Sequence, residues 1–247
     1  MIAPRPVVRI NRPLPLGGGG TWCRQAPQRG EGGRPSEKTA PAAGCGGRSR
    51  RTGLRVGLLG GSFNPAHAGH RAVSIEALRR LRLDRVLWLV SPQNPLKPAR
   101  GMAAFGERFA SARDIAGHPR IEVSDLEQRA GMRFTVDTIR HLQRDRRNRY
   151  VWLIGADNMI QLPQWKGWQE IMERVPIAVF DREPYVYRAL AGEVAQRFAA
   201  ARLPEEEATT LADADPPAWA YVRFRRHPVS STALRRRQAE DEEEAAF

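Results

Sequence analysis

Cysteine is nearly missing from this chain of 247 residues: there are two, Cys23 and Cys45, both in the first fifth. No second pair stands at zinc-ligand spacing, and two thiols in a Gly/Arg/Pro-rich stretch give no disulfide framework. Long hydrophobic runs are missing too, since none approaches the roughly 18 apolar residues of a membrane span. The N-terminus is broken by Pro4, Pro6, Pro13 and Pro15 and has no continuous apolar stretch of the secretory type. These absences lead to an expected cytoplasmic location. Lysine is scarce as well. Only Lys38, Lys97 and Lys166 occur among 40 basic residues, so Lys97 stands out against a background of arginine.

The net charge of +13 invites a nucleic-acid reading, but its distribution weakens it. Residues 1–55 hold eleven basic residues against Glu31 and Glu37, a net +9, which leaves +4 for the rest. The same segment carries repeated glycines and prolines without apolar periodicity, so burial there cannot offset the entropy of ordering. Residues 1–53 therefore read as a flexible leader. It is Arg-rich and acid-poor like a transit peptide yet lacks an amphipathic pattern; translation starting near Leu54 is the competing explanation. Trp22 is its only aromatic residue, which argues against a base-stacking RNA module. Residues 239–247 form an acidic tail.

From Leu54 onward, strand-like apolar runs at 54–59, 85–90, 120–123, 150–154, 176–180 and 220–224 alternate with helix-like segments. The helices are expected at 68–81, 103–116, 135–144, 168–174, 188–201 and 231–240. That alternation predicts an α/β domain over 54–238, Rossmann-like and doubly wound, with a mainly parallel sheet flanked by helices. In such sheets ligands bind beyond the carboxyl ends of the strands. The informative polar segments fall there: Gly60 to His70, Ser91 to Lys97, Gly155-Ala156-Asp157, Asp181-Arg182, and Ser230 to Arg235.

The first of these is the most informative. Gly60 and Gly61 allow a tight turn directly after a strand and let backbone N–H groups approach a ligand. Pro65 suits the start of a helix. His67 and His70, three apart, share a face on its first turn, and the positive end of the helix favours an anion beside them. In Ser230-Ser231-Thr232-Ala233-Leu234-Arg235, hydroxyl residues precede an arginine by one helical turn. This is either an ordinary N-cap or a second phosphate clamp, and beside the first site the clamp is favoured. Lys97, in a Pro-flanked loop, can act as a point charge on a phosphate. Asp157 suits ribose hydroxyls or a metal-bound water, with a plain helix cap as the bland reading. Trp165 and Trp168 near that loop suit either a core or a ring-stacking edge.

Assembled, these residues resemble the nucleotidyltransferase superfamily that carries an H-x-G-H signature, and within it the bacterial nicotinate-nucleotide adenylyltransferases. The shared parts are G-G-S-F-N-P-x-H-x-G-H at Gly60 to His70, N-P-x-K at Asn94 to Lys97, and F-T-V-D-T at Phe134 to Thr138. To these are added G-A-D at Gly155 to Asp157, L-P-x-W-x-x-W at Leu162 to Trp168, and S-S-T-x-x-R at Ser230 to Arg235. The family often has Asp where this chain has Asn64; the amide keeps a hydrogen-bonding role and loses the charge.

The resemblance implies transfer of AMP from ATP, carried with Mg²⁺, to nicotinate mononucleotide. It implies direct in-line attack on the α-phosphorus with His67, His70, Lys97 and Arg235 as the catalytic groups. ATP contacts are implied at Gly60, Gly61, Ser62, Phe63, His70, Gly155, Asp157, Ser231, Thr232 and Arg235. Mononucleotide contacts are implied at Asn64, Lys97, Phe134, Thr135, Trp165 and Arg182, and no protein-held metal is implied. Related adenylyltransferases that use nicotinamide mononucleotide or pantetheine phosphate share the phosphate grip. The two-tryptophan segment and Thr135 to Thr138 argue against the pantetheine acceptor. Class I aminoacyl-tRNA synthetases use a similar histidine turn with a Lys-rich second signature that this chain does not carry.

Overall fold

The central strands are apolar on both sides because the sheet they join is covered on both faces, whereas the edge strands carry the exposed Glu122 and Arg202. The computed structural model describes residues 53–92 and 101–223. Seven parallel strands form one sheet in the order β3-β2-β1-β4-β5-β7-β6. They are β1 (Arg55–Gly61), β2 (Arg85–Val90), β3 (Ile121–Ser124), β4 (Arg149–Gly155), β5 (Ile177–Phe180), β6 (Arg202–Leu203) and β7 (Trp219–Val222). The helices are α1 (Ala68–Arg80), α2 (Phe105–Ala116), α3 (Leu126–Arg129), α4 (Thr135–Leu142), α5 (Ala156–Gln161), α6 (Trp168–Arg174), α7 (Val186–Leu190) and α8 (Glu193–Arg197). The α/β doubly wound architecture expected from the sequence is the one observed.

Period-two alternation sends neighbouring residues into two separate cores. Leu59 of β1, Leu153 of β4 and Phe180 of β5 meet Ala77 and Leu78 of α1, Leu81 just after that helix, and Ala112 and Ala116 of α2. On the other face Val56 and Leu58, Trp152 and Ile154, and Ile177 and Val179 meet Val136 and Ile139 of α4, Met159 of α5 and Ile171 of α6. Each such aliphatic side chain contributes about 1.5–3 kcal/mol on burial. The chain runs outward from β1 through β2 to β3, then returns through α4 to β4 on the opposite side of β1. In doubly wound sheets such a reversal marks where ligands bind, beyond the carboxyl ends of the strands, here those of β1 and β4.

Several local expectations are corrected. The helix expected over 188–201 is α7 and α8 with a 3₁₀ turn at Ala199–Ala201, because extended backbone at Gly192 (ψ 169°) interrupts it. Residues after Gly155 form α5 directly rather than a loop, and a 3₁₀ turn at Leu162–Gln164 continues it. The two-residue edge strand β6 and the 3₁₀ stretch Glu205–Asp213 were not expected. The helix expected at 231–240 lies outside the described residues. No helix among the described residues is long and apolar enough to cross a membrane.

Candidate active site

The glycine-rich turn after β1 is shaped by close packing. A Cβ on Gly60 would sit 2.9 Å from the Trp152 ring, so only glycine fits there. Phe63 follows with a left-handed backbone (φ 46°) and a ring that is 2% exposed. Such a conformation costs a non-glycine residue on the order of 1 kcal/mol, which burial of the aromatic ring offsets. Phe63 stacks on Trp88 at 4.9 Å and leans on His70 at 4.7 Å between centroids. The ring of His70 is thereby fixed from one side.

The histidines hold each other. His67 is the N-cap of α1, its Nδ1 accepting the Gly69 N–H at 3.1 Å, while His70 Nδ1 accepts the His67 N–H at 3.2 Å. This is a capping box built from two imidazoles, with centroids 3.9 Å apart, in place of the usual hydroxyl and carboxylate. It corrects the expectation that both lie in the first helical turn: His67 precedes the helix, and Pro65 sits in the turn before it, joined to Asn64 by a cis bond. An Nδ1 that accepts an N–H bears no proton. Each neutral ring therefore carries its proton on Nε2, which makes that atom a donor suited to phosphate oxygens. Behind His70, Ser74 Oγ donates to the His70 carbonyl at 2.8 Å and accepts from Trp88 Nε1 at 2.7 Å.

A residue that the motifs do not point to lies under the same turn. Arg108 on α2 is 2% exposed and donates to the carbonyls of Ser62 (2.5 Å), Ser91 (2.9 Å), Pro92 (2.8 Å) and Ala103 (3.0 Å). Its sequence signal was an arginine on the otherwise apolar stripe Phe105, Phe109, Ala112 and Ala116. Asn64, expected to face the mononucleotide, donates from Nδ2 to the Gly101 carbonyl at 2.9 Å and accepts the Ala103 N–H at 3.1 Å. Ser62 is buried, and its Oγ has no partner among the described residues.

At the end of the neighbouring strand β4, Gly155 caps α5 and Asp157 lies in its first turn. Asp157 Oδ1 packs so closely that a Cβ on Gly155 would lie 2.5 Å from it. Its Oδ2 pairs with Arg182 Nη1 at 2.9 Å, whereas Oδ1 is buried without a partner among the described residues. Two residues assigned by resemblance to different substrates are thus in direct contact.

The remaining residues gather along α4 and the segment before α6. Phe134 is the N-cap of α4 and Thr135 its first residue; Lys166 Nζ lies 4.3 Å from the centre of the Phe134 ring. Phe134 and Trp165 both pack, half-buried, on the core beneath β4 and α4. Glu127 is a second group the motifs missed. It accepts the Thr138 hydroxyl at 2.8 Å, and burial pushes its carboxyl up to about 7 while that hydrogen bond opposes the rise. The Thr138 of F-T-V-D-T is therefore a core-facing support, and its signal was a threonine on the buried side of α4. Lys97, Ser231, Thr232 and Arg235 lie outside the described residues. Among the described residues no group of three His, Cys, Asp or Glu could hold a metal ion.

Parallel strands with a histidine-capped helix after β1, at the strand reversal, fit a nucleotidyltransferase. The cytidylyltransferase-like family model matches residues 58–237. The chain belongs to the nicotinate-nucleotide adenylyltransferase family, as its relatives show. It is 52% identical over 183 residues to a probable nicotinate-nucleotide adenylyltransferase of a Bradyrhizobium species, covering 74% of this chain and 95% of that one. With another so named, from Methylorubrum extorquens, it is 50% identical over 185 residues, covering 74% of this chain and 100% of the relative. Among solved structures, the nicotinic acid mononucleotide adenylyltransferase of Plasmodium falciparum, complexed with NaAD, shares the fold. The TM-score is 0.56 at 14% identity, covering 73% of this chain and 82% of that one.

Proposed function

We propose that this chain transfers AMP from ATP to nicotinate mononucleotide, forming nicotinate adenine dinucleotide and pyrophosphate. The observation that carries the reading is the paired-imidazole cap, which orients two Nε2–H donors at the strand reversal of a chain about half identical to relatives with that name. The 5′-phosphate oxygen of the mononucleotide attacks the α-phosphorus in line; the bond to the bridging oxygen breaks, and pyrophosphate leaves with that electron pair. No side chain needs to become covalently bound. Catalysis is positioning together with neutralisation of charge that grows on the polyphosphate.

In this reading His67 and His70 donate to phosphate oxygens, with Lys97 and Arg235 supplying further positive charge. Backbone N–H groups of the turn, with Gly60, Gly61, Ser62 and Phe63, line the ATP phosphates; Ser231 and Thr232 add hydroxyls. Gly155 and the inward oxygen of Asp157 take the ribose hydroxyls. Phe134, Thr135 and Trp165 frame the pyridine ring, Asn64 shapes the turn beneath the mononucleotide, and Arg182 orients Asp157 while facing its phosphate. Magnesium enters as part of the Mg·ATP substrate. The donor set suits this, because imidazole N–H and guanidinium groups bind phosphate oxygens and leave the metal to the phosphates. The cytoplasm, where both substrates meet, is the compartment this activity needs.

The test is the rate of pyrophosphate release by the purified chain with Mg·ATP and nicotinate mononucleotide. Turnover that vanishes when the mononucleotide is omitted supports the reading; no turnover with any mononucleotide overturns it.

A further inference from the structure

Arg108 is a full cation buried among carbonyl oxygens, and no ion pair offsets it among the described residues. Burial in the protein lowers its guanidinium pKa from the usual arginine value. A group so placed is costly unless its hydrogen bonds are in good order, and four of its five N–H donors are assigned. Its acceptors are not scattered. Ser62 belongs to the histidine turn after β1; Ser91 and Pro92 follow β2; Ala103 precedes α2. Asn64 fastens the same stretch from the other side through Gly101 and Ala103.

We infer that Arg108 is a positioning residue for adenylyl transfer, a guanidinium clamp that fixes the turn before His67 and His70 against both ends of the segment containing Lys97. The inference rests on the adenylyl-transfer reading for its kinetic consequence and on geometry alone for the clamp. Only a planar fork with five donors serves three chain segments at once; a lysine ammonium in its place offers three donors on one atom. Its charge also adds to the positive potential that the α1 N-terminus directs at an anion. A turn displaced by about 1 Å lowers the chemical step by about 100-fold, so the loss falls on kcat.

The experiment compares the full chain with Arg108→Lys and Arg108→Met, measuring kcat and both KM values together with amide hydrogen exchange. Arg108→Met lowers kcat about 100-fold, Arg108→Lys recovers part of that loss, and KM for the mononucleotide stays within about twofold. Exchange speeds up in residues 62–66 and 101–104 and remains slow in β4 and β5. If Arg108→Met does not fold, the lysine variant decides. An unchanged kcat with unchanged exchange in the turn overturns the clamp, as does faster exchange spread evenly through the sheet. Should the unsubstituted chain lack turnover, the functional reading falls while the exchange pattern still judges the clamp.

Discussion

After β1, the two imidazoles are anchored by their Nδ1 atoms to backbone N–H groups, so their orientation is complete before a ligand arrives. After β4, Asp157 is anchored by one oxygen only, and the other is buried without a partner among the described residues. The first turn is preorganised to donate; the second keeps an acceptor in reserve. A buried acceptor without a partner costs about 1–3 kcal/mol, which a ribose hydroxyl would offset on binding. Charge growing on phosphate in the transition state calls for donors that need no reorganisation, while nucleoside recognition gains from an acceptor completed only by the ligand.

That comparison can be broken first at His70. His70→Ala lowers turnover at least ~100-fold, on the scale of a lost oxyanion donor. The same change removes half of the capping box, at about 1 kcal/mol of stability. His70→Glu separates the effects, since a carboxylate at this position still accepts the His67 N–H. It restores the melting temperature and leaves turnover as low as in the alanine variant. Near-normal turnover in either variant contradicts the donor role.

The acceptor side responds at the binding step. Asp157→Asn removes the inward negative charge and raises KM for ATP about tenfold, the equivalent of one charge-assisted hydrogen bond near 1.5 kcal/mol. Its kcat changes less than that of His70→Ala, as initial rates at varied ATP would show. Equal falls in kcat for the two variants would erase the distinction between the turns.

Glu127 sharpens the comparison from below, through stability rather than rate. Its folded value of about 7 lies above the ordinary carboxyl value of 4.5, so the folded state binds the extra proton between these limits. Stability from this group is therefore present below about pH 4.5 and lost as pH rises toward 7. Glu127→Gln removes that slope. Measured by urea unfolding at pH 4.5 and pH 8, the variant gains about 3 kcal/mol relative to the parent across the interval. A constant difference would contradict a carboxyl buried beside Thr138. The smallest effect belongs to Asn64→Asp, which loses the donor to the Gly101 carbonyl and costs about 1 kcal/mol in thermal unfolding.

Legibility in the sequence followed the same division. The histidine turn could be read because its chemistry is contiguous, from Gly60 to His70. The sheet could be read because strands covered on both faces leave unbroken apolar runs. Arg108 escaped because its partners are backbone carbonyls, which have no residue signature. At Asn64 the resemblance points only to a mononucleotide contact, while the two backbone bonds of its amide, one donated and one accepted, have no signature in the motif, and a carboxylate could not donate to Gly101. The start of α5 was hidden since Gly155 offers no capping side chain, and β6 is too short for alternation to register.

The most direct measurement compares initial rates of pyrophosphate release with Mg·ATP and either nicotinate or nicotinamide mononucleotide. Turnover with the nicotinate form exceeds that with the amide form by about tenfold or more, as expected when a site is built to bond one polar group. Equal rates would contradict acid-form specificity, and absence of turnover with both would contradict adenylyl transfer to a pyridine mononucleotide.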